Sequence, residues 1–477
     1  MGVVTIPAPF GGINTRDAAV GLPQNYATIL INWIPGPGYI STRGPTTQAN
    51  AGVGTNIYSI NTHPNGDTLL GTSAGAIWEM GGGAALVTGL NGTDWHGNIF
   101  QDRTILCSGF DTPRIYDGSA IATGSYSGSG LTASNLYGSI TFKGRVYYWE
   151  AAQRFFWYAA AAAFQGALSK YDVSTFCRTA GYIVSMCPMT NDGGNGPDDY
   201  LAILFSSGEV LMFQGDDPGS ATSWQMIGSF LTAAMTGRRC WAIVGSATLV
   251  VTKQGVVDLA KALAVGPSDA SATVGVQIRD FEEQNTVENV LIHDVRNRIL
   301  WLVNRTDNTG DPVANVYGMD VDSRAWFQAL GIDSSTTFNA GYSSGRVMYA
   351  KGQVIHYGPD RDHDGSTSDS MYGGGGDIGY LVTWGYLDFG APAQNKRLTS
   401  LRLLAERASG TDTGSFSATL KEIGKTAQAT SYGVATDPAP RSACANGRHI
   451  QLSLSYTGKG PWKLYGVDVG LDPAGSR

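Results

Sequence analysis

The chain has 477 residues, of which 64 are glycine, 15% are charged and 10% are aromatic. About 25% charged residues and ~7% glycine are ordinary for a soluble domain, so a disordered chain, rich in charge and poor in aromatics, is excluded, as is collagen with its strict three-residue glycine period. The net charge of −7 argues against gripping nucleic acid through a basic surface, though not against contact with DNA that passes by.

A chain rich in Gly, Ser, Thr and aromatics but poor in charge reads as all-β, with many short strands and turns. Residues Met1–Phe10 lack a basic segment followed by an apolar core, so no secretory leader is expected. Ile6 stands where a myristoylation signal needs Ser or Thr. No apolar run approaches the ~18 residues of a membrane helix. The five cysteines (Cys107, Cys177, Cys187, Cys240, Cys444) form no C-x-x-C pair, which fits free thiols in a protein made in a reducing cytoplasm.

From residue 68 onward one unit recurs: an apolar strand, a Gly-containing or polar turn, and a second apolar strand bearing aromatics. It runs through Thr68–Trp78, Thr104–Tyr116, Ile140–Trp149, Ile203–Phe213, Leu249–Val257, Val290–Trp301 and Ala340–Tyr349. The turns centre near residues 75, 111, 144, 208, 255, 297 and 345, so the spacing is roughly 35–50 residues with one longer gap. Such a repeat of short strands points to a β-propeller of six or seven blades over 51–359. The long gap predicts an insertion around 158–198, with the alanine-rich stretch Tyr158–Leu168 as a short helix between blades. Residues 360–380, rich in Asp, Ser and Gly, read as a linker. Alternating strands at Leu381–Leu387, Leu398–Ala405, Phe416–Leu420, His449–Tyr456 and Trp462–Val469 then predict a C-terminal β-sandwich over 381–477. Residues 1–50 read as an extended N-terminal clasp.

Little in the sequence carries catalytic chemistry. Two stretches match G-x-S-x-G, around Ser73 and Ser343, but β-type residues follow both, whereas a nucleophile elbow leads into a helix; they read as hairpin turns. Asp360, Asp362 and Asp364 have the alternate spacing of a calcium loop, with Gly365 for the bend. Met371 replaces the bidentate Glu of that loop, so the reading stays between a Ca²⁺ site and a solvated acidic linker, with the linker favoured. The six histidines show no metal-ligand spacing, and no phosphate loop or dinucleotide fingerprint is present. An enzyme reading has no residue to rest on, and no cofactor other than Ca²⁺ is suggested.

The N-terminal block is more specific. Pro9-Phe10-Gly11-Gly12-Ile13-Asn14-Thr15-Arg16-Asp17, Leu30-Ile31-Asn32-Trp33-Ile34-Pro35-Gly36-Pro37-Gly38 and Arg43-Gly44-Pro45 resemble the opening of tail nozzle proteins (tail tubular protein B, or tail hub) of short-tailed bacteriophages, the podoviruses. Further matches are Gly208-Glu209-Val210, Phe213–Pro218, Gly237-Arg238-Arg239-Cys240, Leu387-Asp388-Phe389-Gly390 and Gly460–Gly466. The resemblance implies a structural protein of the virion tail, a β-propeller subunit arranged as a hexameric ring below the adaptor. It also implies contact with a tail fibre or tailspike, and passage of double-stranded DNA without sequence recognition during ejection. No catalytic residues come with the family.

On that reading Phe10, Trp33 and Ile34 are candidate anchors on the adaptor or a neighbouring subunit. Asp192, Asp198 and Asp199, with the Asp360–Asp369 stretch, are candidate acidic loops facing the channel. Walls of like sign to the phosphates let DNA slide without sticking. The rival reading is a receptor- or glycan-binding propeller on a tail appendage, with Trp95, Trp149 and Trp326 stacking on sugars.

Overall fold

The computed structural model describes the chain except residues 1, 45–46, 51–52, 191–199, 236, 254, 266–272, 275–287, 306–315, 330–337, 344–345, 352–353, 358–377, 392, 408–414, 424–426, 434–440, 459–461 and 474–477. Hairpin repeats become four-stranded antiparallel units, whose first strands are Ile57–Thr62, His96–Phe100, Leu136–Phe142, Ile183–Met189, Trp241–Val244, Glu288–Asp294 and Phe338–Ser343. Each first strand packs against the next unit, and Phe338–Ser343 packs back on Ile57–Thr62. The succession therefore closes on itself, an all-β arrangement consistent with a β-propeller.

Closure is made by a strand distant in sequence. The seventh unit takes three strands from 338–357 and its fourth, Thr47–Asn50, from the N-terminal segment, which pairs with Val354–Tyr357. The ends of the ring are thus stitched by backbone hydrogen bonds. The high Gly and Trp content has a packing reason. A Cβ on Gly138 would sit 2.2 Å from the ring of Trp149, the residue opposite it in the same unit. Absence of a side chain there lets the indole lie flat on the strand, fully buried.

The alanine run does not form the expected helix. Phe155–Tyr158 pairs with Arg145–Glu150 as the third strand of its unit, and a turn with Ala162 at φ 59° follows. Two contacts from the neighbouring strand hold that turn: an Arg145 guanidinium N–H donates to Ala159 O (2.9 Å), and the Tyr148 hydroxyl donates to Phe164 O. Five alanines nucleate a helix too weakly to compete with those tertiary bonds.

All five strands expected at the C-terminus are present, as Ile378–Leu387, Lys396–Arg407, Ser415–Glu422, Ile450–Gly458 and Trp462–Pro473, joined by Gln428–Gly433 and Arg441–Gly447. They form two sheets, and the N-terminal segment is woven into both. Gly2–Pro7 and Tyr39–Thr42 pair with Trp462–Pro473, while Ala27–Ile31 pairs with Ile378–Leu387. Along Ile450–Gly458 buried residues alternate with half-exposed ones, as one face on a core requires. Between the layers Trp33 meets Tyr380 at 5.6 Å and Trp462 meets Phe416 at 5.3 Å, measured between ring centroids.

The segment expected as an extended clasp therefore contributes strands, at Gly2–Pro7, Ala27–Ile31, Trp33–Gly36, Tyr39–Thr42 and Thr47–Asn50, to its own chain's sandwich and ring. The reason lies in their pattern: short β-prone runs carry apolar residues, such as Ile6, Leu30 and Ile40, that are buried against the C-terminal strands. The sandwich and the ring also share a sheet. Ile31 lies parallel to Gln328 of Trp326–Ala329, the last strand of the sixth unit.

Candidate functional site

Two places concentrate polar side chains in the interior: the centre of the ring and its joint with the sandwich. At the ring centre, five of the first strands line an open cavity of about 540 Å³ among the described residues. Where those strands begin, charged side chains join distant units. Arg238 and Arg239, leading into the fifth unit, reach Asp94, which leads into the second. Arg238 Nη2 lies 3.0 Å from Asp94 Oδ2, and Arg239 Nη2 lies 2.7 Å from Asp94 Oδ1. Arg238 also donates to the carbonyls of Tyr137 (2.6 Å), Asp94 (2.7 Å) and Cys107 (3.3 Å), and its guanidinium stacks 4.3 Å from the Tyr137 ring centroid. With its side chain 1% exposed, Arg238 is a buried charge neutralised by one carboxylate and dispersed over backbone dipoles. Arg239 adds a bond to Trp95 O (2.6 Å).

The walls of the cavity combine isoleucines with His96, Asn98 and His293. Burial and the positive charge of Arg238 and Arg239 hold the His96 imidazole well below its ordinary range, so it is neutral at pH 7. Burial also lowers His293, whose Nδ1 lies 3.0 Å from Ile243 O. Behind the wall, burial pushes the Cys107 thiol up to about 12, which leaves it without thiolate reactivity.

The joint is built from the N-terminal block. Asn32 adopts φ 62°, a left-handed conformation that asparagine tolerates better than most residues. Its backbone N–H donates to Gln328 O in the ring (2.8 Å), and its side-chain amide donates to Gly379 O in the sandwich (2.7 Å). The fully buried Arg43 donates through Nε to Asn32 Oδ1 (2.8 Å), and the Tyr380 hydroxyl donates to Arg43 O (3.0 Å). Gly12 has φ +87°, and a Cβ there would lie 2.7 Å from both Trp326 N and Trp326 O. Only glycine lets the chain pass the ring so closely.

Other blocks of the resemblance also sit at structural junctions. The buried Glu209 carboxylate accepts from Arg178 N (2.8 Å), Thr179 N (3.0 Å) and the Thr179 hydroxyl (2.7 Å). Arg145 binds Asp216 O (2.8 Å) and the Asp217 carboxylate (3.2 Å). Gly215 has φ +121°, and a Cβ there would lie only 1.7 Å from Ser223 O.

The structure places the sequence candidates as follows. Trp33 and Ile34 are fully buried in the chain's own sandwich, and Phe10 is half-buried beside the Gly11–Gly12 turn. Asp360, Asp362 and Asp364, and Asp192, Asp198 and Asp199, lie outside the described residues. Among the described residues no group of three or more His, Cys, Asp or Glu is arranged to hold a metal ion. Ser73 sits between two strands, with its Oγ 2.7 Å from Thr55 Oγ1, and Ser343 pairs with Arg346 across a hairpin. Trp95, Trp149 and Trp326 are at most 1% exposed and present no face to a sugar. Among the described residues no helix is long and apolar enough to cross a membrane. In the sequence Arg238 and Arg239 stand out only as part of a motif, and Asp94 does not stand out at all; 144 residues separate Asp94 from Arg238.

No protein-family model and no curated protein matches the chain. Solved structures with a similar course include Ycf48 from Cyanidioschyzon merolae, 10% identical, covering 66% of this chain and 98% of that one at a TM-score of 0.40. Another is the Myceliophteria thermophila Cps50 (Swd1) β-propeller domain, 10% identical over 66% of this chain and 99% of that one, TM-score 0.40. The extracellular domain of the putative hybrid two-component system BT3049 from B. thetaiotaomicron is 9% identical, covering 86% of this chain and 58% of that one at 0.48. These likenesses concern the fold alone.

Proposed function

We propose that this chain is a virion structural protein, the tail nozzle subunit of a short-tailed phage, with a seven-bladed propeller and a sandwich sharing one sheet. The observation that carries the reading is that the blocks resembling nozzle proteins coincide with architectural positions. Gly12, Asn32 and Arg43 fasten the ring to the sandwich, and Arg238 and Arg239 tie units together at the ring centre. A motif whose residues brace a joint suits a part that bears mechanical load better than a site of chemistry.

The charged cluster at the ring centre bears on the path of DNA. A duplex whose major groove alone is ~12 Å wide does not thread a ring centre crossed by the ion pairs of Arg238 and Arg239 with Asp94. On this proposal the conduit is the lumen between subunits, as in a six-membered ring. Six copies at −7 each give about −42, a field that keeps phosphates sliding. With Trp33 and Ile34 buried at home, contacts to the adaptor and to fibres or spikes fall to other surfaces.

Mixing the full chain with its phage's adaptor and weighing the complex by native mass spectrometry tests the reading. Six copies on one adaptor ring are expected. A chain that stays monomeric in the adaptor's presence, yet binds host glycans on an array, belongs instead to the receptor-binding class.

A further inference from the structure

One strand edge is left bare where the fold blunts its others. Gly2–Pro7 pairs in unbroken register with residues 466–471, and among the described residues the backbone of 2–6 has no hydrogen-bond partner outside that strand. The strand holds no charged residue, its one proline is its last residue, and Val3, 69% exposed, and Thr5 face out. A flat, uncharged edge is a ready template for another strand, and proteins usually protect it. The outward edges of the blades are so protected. Ala85–Val87, Ile121–Thr123 and Thr273–Val274 are two or three residues long, and Ser169–Asp172 carries Lys170 and Asp172. Gln225–Leu231 is longer but bulges at Ile227, Thr47–Asn50 is short with a break in register, and Trp326–Ala329 is joined by Ile31. In the sandwich Trp33–Gly36 contains Pro35, and the far edges of the two sheets, Gln428–Gly433 and Arg441–Gly447, approach each other.

We propose that the edge of Gly2–Pro7 pairs with the same edge of a second copy of this chain, antiparallel about Val4. In that register Val4 lies opposite Val4, Val3 opposite Thr5 and Gly2 opposite Ile6. Residues directly opposite share a face, so Val3 and Thr5 of both copies stay on the outer face while the half-buried Val4 is covered. A slip of one residue would set buried positions against exposed ones. The run Val3-Val4-Thr5 reads alike in both directions, because valine and threonine share one shape, and β-branched residues make good cross-strand pairs. Charge does not oppose the contact. Asp468, beside Thr5, accepts its hydroxyl (2.6 Å). In the pair the two Asp468 carboxylates stand three strand spacings and two residues apart, roughly 16 Å, well beyond the ~8 Å screening length. A single ring of six has no such two-fold axis, so the pairing concerns the free chain in solution and stands apart from the nozzle reading.

Sedimentation equilibrium of the full chain from about 1 μM to 1 mM is expected to show monomer and dimer exchanging. Val3→Lys combined with Thr5→Lys sets like charges opposite each other across the axis, yet within one chain puts a cation beside Asp468. This variant should weaken the dimer about tenfold or more. Val4→Cys, on the axis, should cross-link two chains under mild oxidation, whereas Leu231→Cys, 48% exposed on the bulged edge, should not. Circular dichroism checks that each variant is folded. A monomer throughout that range, a dimer indifferent to the two lysines, or Val4→Cys cross-linking no faster than Leu231→Cys would each overturn the assignment.

Discussion

Replacing Arg238 by methionine tests how much the charged cluster at the ring centre contributes to holding the units together. Arg238 is 1% exposed, donates to three backbone carbonyls and pairs with Asp94, whereas Arg239 is 15% exposed and makes its bonds to Asp94 and to Trp95 O. Methionine keeps the length of the stem but leaves those carbonyls without their donor and removes the stack on Tyr137. Breaking a buried pair from one side costs about 3–5 kcal/mol, and each buried group left unsatisfied about 1–3 kcal/mol. Because Asp94 keeps Arg239 as a counter-ion, the lower half of that range applies, and we expect Arg238→Met to cost about 3–4 kcal/mol. Arg239→Met, at a wetter position, should cost about 1–2 kcal/mol. Urea unfolding followed by tryptophan fluorescence reads both values, since Trp95 is fully buried beside the cluster. A double-mutant cycle of Asp94→Asn with Arg238→Met should be non-additive by about 1 kcal/mol or more. Arg238→Met within about 1 kcal/mol of the native chain, or Arg239→Met the costlier of the two, would refute the reasoning.

Three further outcomes follow from the geometry. Gly12→Ala should cost at least about 2 kcal/mol, from its left-handed backbone and the 2.7 Å approach to Trp326, while Gly21→Ala, at φ +91° with open space around it, should cost about 1 kcal/mol; equal costs would contradict the packing argument. His96 is depressed by burial, so the unfolded chain takes up a proton near pH 6.5 that the folded chain refuses. Its contribution is therefore fully present above that pH and lost below it, by up to ~1.4 kcal/mol per pH unit. His96→Gln should flatten the fall in urea midpoint between pH 7 and 5.5, and an unchanged slope would sink the assignment. Peptide mapping after brief iodoacetamide treatment should find Cys107, with its thiol near 12, unmodified in the native chain and alkylated in urea; native alkylation would mean that the wall opens.

The repeat was legible because each unit carries one hairpin of long apolar strands. The irregular spacing was legible too, but not its cause. The turns near 75, 111, 208 and 255 join second and third strands, whereas those near 144, 297 and 345 join first and second. The long gap therefore arises from a change of turn within the unit, with no helix inserted among the described residues. Outermost strands such as Ala85–Val87, Ile121–Thr123 and Thr273–Val274 are only two or three residues long and carry too little period to be seen. Thr47–Asn50 closing on Val354–Tyr357, and Asp94 meeting Arg238 and Arg239, depend on distant chain returning to one place, which no local pattern encodes. Trp33 shows the same limit. An indole in a Pro- and Gly-rich block reads equally as an external anchor or as core, and it is the strands of 378–473 that enclose it.

Antibody labelling of this chain on intact particles of its phage, viewed by electron microscopy, tests the central claim most directly. The account predicts label at the distal end of the tail axis, below the portal vertex. Label on peripheral appendages, or none on the particle, would contradict it.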